Sequence, residues 1–346
     1  MKVVTAVAFC VVALSGVVES QQYSVRAIET FGGGFSEAFG INNHLQVVGY
    51  ALKQDHSAAE AYLWNIQGVN GLSSFSQSQA RAINDNDQIV GCASFSGFPD
   101  QHAFLWTQAD GLQDLGTLGG DFSCANAINA NGEVVGQSYT TGNAAIHAFV
   151  WSQTQGMQDL GTAGGALASA AFGINDNGQV VGISAGNNAF SKYLTAFLWS
   201  RNEGMRLLPH LPRHSQSAAL KINNKGEIGG FAPLDLSRGI EHAVLWPHLL
   251  DGGIQDLGSV PGSTYSEIGS INLSGVSVGA AVIGQNRHGV IWSATNGMQD
   301  MNDLIPANSG WVVYECNFIN DEGKIVADGY RIGDEGQFRA LVLTPQ

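Results

Sequence analysis

Residues 174–182 read I-N-D-N-G-Q-V-V-G and are the clearest copy of a segment that recurs along the chain. The Ile-Asn dipeptide that opens the segment occurs seven times, at intervals of 42 to 49 residues. The copies, numbered one to seven in chain order, begin this segment at Ile41, Ile83, Ile128, Ile174, Ile222, Ile271 and Ile319. Repetition at a period of this size indicates an array such as a solenoid or a propeller.

Each copy contains four segments with strand character. The first ends in Ile-Asn, and an Asn/Gly-rich turn leads from it into a Val-Val-Gly segment, because Asn and Gly tolerate the positive φ of a tight turn. A third segment of the form H-A-F-L-W and a fourth of the form M-Q-D-L-G follow. Four short strands per repeat of this length are typical of one propeller blade. The sequence therefore predicts an all-β fold, a seven-bladed β-propeller with four antiparallel strands per blade, in one domain spanning residues 21–346.

The two ends of the chain complement each other in this pattern. Copy seven stops at Gln346, directly after its third segment, whereas residues 25–33 precede the first Ile-Asn and align with residues 112–120. The N-terminal strand is thus predicted to complete the last blade, which closes the ring and leaves no exposed blade edge. An open solenoid would instead need polar caps.

The first twenty residues have the pattern of a secretory signal peptide. Lys2 precedes the apolar segment 3–18, and the small residue Ser20 stands at the expected cleavage point. The apolar run is too short for a convincing anchor, and no later segment reaches the length of a membrane span. We therefore expect a secreted, extracellular protein with no membrane span.

Charge and motifs argue against several classes of partner and reaction. The chain has 15 Lys and Arg against 29 Asp and Glu, a net charge of −14, so it lacks the cations that neutralise phosphates. We expect no binding of nucleic acid. The sequence contains no P-loop, dinucleotide fingerprint, zinc-protease motif or nucleophile elbow, so a cofactor and catalytic residues remain unassigned.

Residues 102–106 and 147–151, H-A-F-L-W and H-A-F-V-W, resemble the repeat of the HAF-repeat proteins, a family of predicted extracellular repeat proteins. The resemblance covers essentially all of residues 21–346, although copies four and seven have Thr195 and Arg339 at the histidine position. It implies secretion and a propeller-like repeat. It implies no known reaction and therefore no catalytic residue.

The repeated histidine and the cysteines have structural interpretations. His102 and its equivalents fall at the start of the third strand, away from the ring axis, so a hydrogen bond within the blade explains them better than a metal site, and we predict no metal site. Cys92 and Cys124 are expected toward one face of adjacent blades, which makes them the best candidates for a disulfide. Cys316 stands in a column that is Ala in five copies, which predicts a buried free thiol.

Candidate binding residues are those that depart from the repeat near the start of the innermost strand. Three glutamates stand four residues before the repeated Ile in copies one, six and seven, which become neighbours when the ring closes. The predicted pocket at the channel mouth comprises Glu37, Arg81, Tyr265, Glu267, Tyr314 and Glu315. Such carboxylates can bind Ca²⁺, hydrogen-bond sugar hydroxyls, or act as an acid/base pair if mutual repulsion raises one pKa. The alternative is that water in the channel solvates them and they have no function.

The connections between the second and third strands are expected on the same face, and they carry variable aromatic residues such as Tyr50, Tyr139 and Tyr330. Variable aromatic and polar residues on loops of a rigid scaffold are typical of recognition surfaces. The leading hypothesis is a secreted module that binds a glycan or an extracellular protein on this face. The alternatives are a secreted hydrolase or lyase that acts on polysaccharide through the mouth carboxylates, and a structural matrix or cell-surface protein.

Overall fold

The computed structural model describes residues 21–54, 58–72, 77–95, 100–186, 194–235, 237–247 and 253–346. The predicted signal peptide, residues 1–20, lies outside these ranges. Within them the chain forms β-strands and two short 3-10 turns, Thr141–Asn143 and Met301–Asp303, and no α-helix. None of the described residues belongs to a helix with the length and apolar character needed to cross a membrane.

The strands, numbered in chain order, form antiparallel sheets that follow the sequence copies. Strand β1 is Tyr23–Ala27. Copy one contributes β2 (Gly32–Ile41), β3 (Val47–Lys53), β4 (Ala59–Asn65) and β5 (Gly68–Gly71). Copy two contributes β6 (Ser78–Ile83), β7 (Ile89–Ser94), β8 (Gln101–Thr107) and β9 (Gly111–Asp114). Copy three contributes β10 (Gly119–Ile128), β11 (Val134–Thr140), β12 (Ile146–Ser152) and β13 (Gly156–Asp159).

The later copies repeat this arrangement. Copy four contributes β14 (Ala168–Ile174), β15 (Val180–Ala185), β16 (Leu194–Ser200) and β17 (Gly204–Leu207). Copy five contributes β18 (Ala218–Ile222), β19 (Ile228–Asp235), β20 (Ile240–Trp246) and β21 (Gln255–Gly258). Copy six contributes β22 (Ser263–Ile271), β23 (Ser277–Ile283), β24 (Asn286–Ser293) and β25 (Gly297–Asp300). Copy seven contributes β26 (Trp311–Ile319), β27 (Ile325–Arg331) and β28 (Asp334–Pro345). The predictions of an all-β fold and of four-stranded antiparallel sheets are confirmed for copies one to four and seven. The strands of copies five and six form one eight-stranded sheet, because Glu241 in β20 pairs in parallel with Tyr265 in β22.

The N-terminal strand β1 pairs with the C-terminal strand β28. The pairing is antiparallel, with Val25 opposite Leu343, and it gives the sheet of copy seven the order β1-β28-β27-β26. The backbone N–H of Ile28 donates to the carbonyl of Ala340 at 2.8 Å, and the side chains of Tyr23 and Ile28 are buried. Strand β1 thus occupies the position that β9 or β13 holds in its own sheet.

Apolar side chains fill the space between adjacent sheets. One cluster joins Val90 and Leu105 of copy two to Val134, Phe149 and Trp151 of copy three. Sheets that are covered on both faces need apolar residues on both, which explains the run of consecutive apolar residues in the third strands, such as residues 103–106.

The asparagine of each Ile-Asn dipeptide organises its own turn and contacts the next copy. Asn175 Oδ1 accepts the backbone N–H groups of Asn177 and Gln179, each at 3.1 Å, and its Nδ2 donates to the carbonyl of Asn223 at 3.1 Å. The same side-chain-to-backbone bond runs from Asn42 to Asn84, Asn84 to Asn129, Asn129 to Asn175, Asn175 to Asn223, Asn223 to Asn272, Asn272 to Asn320 and Asn320 to Asn42. These asparagines are buried, so each satisfies polar backbone groups that water cannot reach.

We expect Asn175→Ala to lower the free energy of unfolding by about 2–3 kcal/mol, because two backbone N–H groups and the Asn223 carbonyl lose their partner. Asn177→Ala is the matched control: this residue lies in the same turn and is exposed, so its loss is expected to cost no more than about 0.5 kcal/mol. Urea unfolding measures both. Equal effects of the two substitutions would contradict the structural role of the repeated asparagine.

The repeated histidine bonds to an aspartate of the fourth strand in the same sheet. The Nδ1 atom of His102 lies 3.0 Å from Asp114 Oδ2, and that of His147 lies 2.8 Å from Asp159 Oδ2. His242 with Asp256 and His288 with Asp300 form the same contact. The predicted hydrogen bond within the blade is therefore confirmed, and the aspartate of the M-Q-D-L-G segment is its partner.

The described cysteines lie in two environments. Cys92 in β7 and Cys124 in β10 form a disulfide, with Cα atoms 4.8 Å apart, that joins the sheets of copies two and three. Cys316 in β26 is a buried free thiol, and burial raises its pKa well above the usual range.

Candidate functional site

The first strand of every copy carries a β-bulge two residues before the repeated Ile. In copy one the register shifts between Ala38 and Gly40, which leaves Phe39 unpaired. A bulge redirects the side chain of its extra residue. The bulged residues are Phe39, Arg81, Asn126, Phe172, Leu220, Gly269 and Asn317, and all of them line one cavity together with Lys221 and Phe318. We call this space the central cavity.

A charged network lies toward the start of these strands, in copies six and seven. Arg287 binds Glu315 in a bidentate pair, with Nε to Oε2 and Nη2 to Oε1 both at 2.9 Å. Its Nη2 also donates to Glu267 Oε1, and the hydroxyl of Tyr265 donates to Glu267 Oε2 at 2.6 Å. We call Tyr265, Glu267, Arg287 and Glu315 the mouth cluster. All four side chains are partly buried, so the network is held in place and still reaches solvent.

The charges of the mouth cluster compensate each other in part, because one guanidinium lies between two carboxylates. Burial raises the pKa of Glu315, while the hydrogen bond and charge of Arg287 oppose that rise. Burial by itself lowers the pKa of Arg287, but its hydrogen bonds and the charges of Glu315 and Glu267 raise it overall. Burial and the charge of Glu267 also raise the pKa of the nearby Glu241. The cluster is therefore an ion-pair network in which Arg287 offsets part of the repulsion between Glu267 and Glu315.

Sequence reasoning selected Tyr265, Glu267 and Glu315 but missed Arg287. It expected repulsion between the glutamates, and the guanidinium between two of them offsets part of that repulsion. A signal was available: Arg287 directly precedes His288, and it is the one arginine at that position among the seven copies. Because the residue type varies there from copy to copy, the repeat pattern did not single it out.

Glu37 lies apart from this network and is bound to Tyr50. Burial raises its pKa, the hydrogen bond from Tyr50 lowers it, and the charge of Glu315 raises it again. Glu37 and Glu315 therefore interact electrostatically without direct contact. The hydroxyl of Tyr62 donates to the backbone carbonyl of Glu37 at 3.0 Å and fixes this part of β2.

Arg81 belongs to the central cavity and not to the mouth cluster. Its Nη1 donates to Asn126 Oδ1 at 3.0 Å and its Nη2 to Gln79 Oε1 at 3.4 Å. The charge of Glu37 acts on Arg81 from a distance, and the two form no ion pair. The residues of the predicted pocket therefore do not form one site. Tyr265, Glu267 and Glu315 belong to the mouth cluster, and Arg81 belongs to the central cavity.

Tyr314 joins an aromatic band beside the mouth cluster. Its ring meets Phe338 edge-on at 4.9 Å, and Tyr330 meets Phe338 at 5.6 Å. Tyr314, Tyr330 and Arg287 line a common cleft. The band continues into copy one through Phe35, Phe39 and Tyr50, whose rings lie within 6.5 Å of their neighbours.

Asp328, a second residue that sequence reasoning missed, lies buried where copies seven and one meet. Its Oδ1 accepts the backbone N–H of Ala38 at 3.2 Å, and its Oδ2 accepts Asn317 Nδ2 at 2.5 Å. Burial raises its pKa well above the usual range. In the parts of the chain that the structure covers, no group of three or more His, Cys, Asp or Glu side chains is placed to hold a metal ion.

Comparison with known proteins bears on the fold. No family model matches the chain, and no curated protein matches it. Among solved structures, virginiamycin B lyase from Staphylococcus aureus superposes with a TM-score of 0.59 at 9% identity, over 93% of this chain and 99% of that chain. The β-propeller domain of the Trilobed protease from Pyrococcus furiosus gives 0.52 at 9% identity, over 77% of this chain and 81% of that chain. The fold is a β-propeller.

A further propeller match is an oligogalacturonate lyase in complex with manganese, with a TM-score of 0.58 at 11% identity over 93% of this chain and 91% of that chain. At such low identity the likeness shows the shared fold alone. Within the propeller, the first strand of each copy lies nearest the axis, because its bulged residue lines the central cavity.

Proposed function

We propose that the chain is an exported, closed propeller of seven blades that binds a glycan at the mouth cluster and the adjoining aromatic band. The signal-peptide pattern of residues 1–20 and the resemblance to the HAF-repeat proteins support export. The chain of asparagine bonds supports closure with seven blades, since it runs through seven copies and returns from Asn320 to Asn42. The pairing of β1 with β28 supports the same ring.

The observation that carries glycan binding is the juxtaposition of a fixed charged network and tyrosine rings in one cleft. Arg287, Tyr314 and Tyr330 line the cleft, and Glu267 and Glu315 hold Arg287 in position. Sugar recognition needs hydrogen-bonding groups for hydroxyls and flat apolar rings for the sugar face, held rigidly so that little entropy is lost on binding. Carboxylates and a guanidinium supply acceptors and donors, and the tyrosines supply the rings.

A second candidate is an enzyme that acts on polysaccharide at the same mouth. Glu37 favours it, because burial raises its pKa and Tyr50 is hydrogen-bonded to it, an arrangement suited to proton transfer. Two of the propellers that share this fold are lyases by their names.

A glycan array and a turnover screen on the same polysaccharides test the two candidates together. We expect the protein to bind at least one glycan, and Tyr314→Ala to weaken that binding roughly tenfold or more, because an aromatic anchor is lost. Tyr139→Ala is the matched control, since Tyr139 also meets a phenylalanine, Phe122, edge-on but does not line the cleft.

Binding without turnover supports the recognition module, and turnover that Glu37→Gln abolishes supports the enzyme. A protein that binds and cleaves no glycan would contradict both candidates. Equal losses for Tyr314→Ala and Tyr139→Ala would place the ligand elsewhere on the propeller.

A further inference from the structure

The central cavity contains two cations, Arg81 and Lys221, that no carboxylate contacts. Among the residues that the structure describes, neither cation takes part in an ion pair. Arg81 donates to the neutral amides of Asn126 and Gln79, and its Nε is buried with no hydrogen-bond partner among the described atoms. The Lys221 ammonium lies 4.6 Å from the centre of the Phe318 ring, and burial lowers its pKa to about 8. Both side chains are partly buried, and a charge held out of bulk water without a direct ion pair is costly, so two of them in one cavity need a reason.

The walls of the cavity suit an anion with an apolar body. Phe39, Phe172 and Phe318 line it beside the two cations, and the amides of Asn126 and Asn317 add polar groups. Apolar walls exclude water and strengthen the attraction between an anion and the cations. Two carboxylates of the neighbouring copies have partners of their own: Glu37 is hydrogen-bonded to Tyr50, and Asp328 accepts from Asn317 and Ala38.

Lys221 and Phe318 also form the floor of this cavity. They occupy the position directly before the repeated Ile, where the other copies have Gly40, Ala82, Ala127, Gly173 and Ser270. Both residues line the central cavity and also a second cavity on the side of the Ile-Asn turns. The two large side chains therefore lie between the two spaces.

We propose that the central cavity binds a small organic anion, whose carboxylate is attracted by the charges of Arg81 and Lys221 while its carbon atoms contact the phenylalanine rings. A free carboxylic acid or the carboxylate of an acidic sugar supplies the same chemistry. The site does not depend on glycan binding at the mouth, because no residue that lines the central cavity belongs to the mouth cluster.

Isothermal titration calorimetry with sodium acetate, sodium benzoate and sodium D-glucuronate tests the site, with sodium chloride at equal ionic strength and D-glucose as references. We expect at least one of the carboxylates to bind, and Lys221→Met and Arg81→Met each to weaken its binding at least about tenfold, because a charged hydrogen-bond donor is lost. Lys225→Met is the matched control, since Lys225 is exposed in the turn that follows and is expected to leave the binding unchanged.

Thermal melts without ligand show that the variants fold, and Lys221→Met is expected to melt no lower than the parent because a buried ammonium is removed. Binding of acetate or benzoate identifies a free acid as the ligand class, and binding of glucuronate alone identifies an acidic sugar. The proposal is overturned if no carboxylate binds more tightly than chloride, or if Lys221→Met and Lys225→Met bind the carboxylate equally well. If D-glucose binds and Lys221→Met does not weaken that binding, the glucose site lies outside the central cavity, and the result contradicts only an assignment of glucose to this cavity.

Discussion

Removal of residues 21–31 is expected to leave a protein that aggregates or unfolds at a much lower urea concentration than the parent. The deletion removes β1, including the buried side chains of Tyr23 and Ile28, whose burial stabilises the fold by about 3–6 kcal/mol together. It also exposes the edge of β28, which offers unpaired N–H and C=O groups to other chains. Because globular proteins are stable by only about 5–15 kcal/mol, losses of this size leave little or no folded population.

Size-exclusion chromatography and urea unfolding measure this effect. A peptide of residues 21–31 added to the truncated chain is expected to restore much of the stability, since the pairing partner β28 is still present. Two point substitutions give a graded control: Tyr23→Ala is expected to cost about 3 kcal/mol, and Ser24→Ala, at a half-buried position on the same strand, less than about 1 kcal/mol. A truncated chain that unfolds with the parent would show that β1 contributes nothing to the fold.

Arg287→Met is expected to lower the free energy of unfolding at neutral pH by about 2–3 kcal/mol, more than a surface ion pair supplies. Glu267 and Glu315 would remain side by side without their counter-ion, and their side chains are 14% and 31% exposed. Breaking a fully buried pair costs about 3–5 kcal/mol, and the partial exposure of these carboxylates reduces that figure. The side chain of methionine fills a similar volume, so lost packing contributes little.

The loss is expected to depend on pH in a defined direction. Burial already raises the pKa of Glu315 with Arg287 present, and removal of the guanidinium raises it further. A carboxyl whose pKa is higher in the folded than in the unfolded state destabilises the fold progressively as the pH rises through that interval. The deficit of the variant is therefore smallest at pH values below the usual glutamate pKa and reaches its full size at neutral pH.

Arg201→Met provides the matched comparison for this prediction. Arg201 Nη2 lies 2.7 Å from Glu133 Oε1, but the arginine is 42% exposed, so its loss is expected to cost at most about 1 kcal/mol. Thermal melts of both variants between pH 4 and pH 8 separate the two cases. An Arg287→Met deficit that equals that of Arg201→Met, or that does not change with pH, would rule out a compensated network at the mouth.

The sheets could be predicted from the sequence because the same strand and turn segments recur in several copies. The Asn/Gly turn after Ile174 and the apolar third strand ending at Trp151 are individually weak signals, but their repetition fixed the strand order. The pairing of β1 with β28 could be predicted for the same reason, since residues 25–33 match a segment that the last copy lacks. The role of His102 followed from its recurrence, and its partner Asp114 recurs at a similar distance in the other copies.

The site was predicted less well because its residues occur once. Glu267 and Glu315 were found because they break the pattern at the position four residues before the repeated Ile. Their partner Arg287 lies on a different strand. No local sequence pattern encodes the direction in which a side chain reaches from one sheet to the next. Arg81 was assigned to the mouth because the bulge that redirects it into the central cavity is invisible in the sequence. Asp328 was missed because its burial depends on packing against copy one, where it accepts the backbone N–H of Ala38, 290 positions away in the chain.

The junction between copies seven and one has a consequence for the order in which the molecule assembles. The bond from His102 to Asp114 spans 12 positions, whereas the bonds from Asn320 to Asn42 and from Ala340 to Ser36 span 278 and 304. The entropy lost in closing a loop grows with its length, so contacts within a sheet form at lower cost than those that bring the two termini together. We infer that this junction forms last, and that until it does the nascent protein displays the free edge of β28 to its neighbours. The interval between synthesis of the last copy and capture of β1 is therefore when the chain most needs protection from self-association.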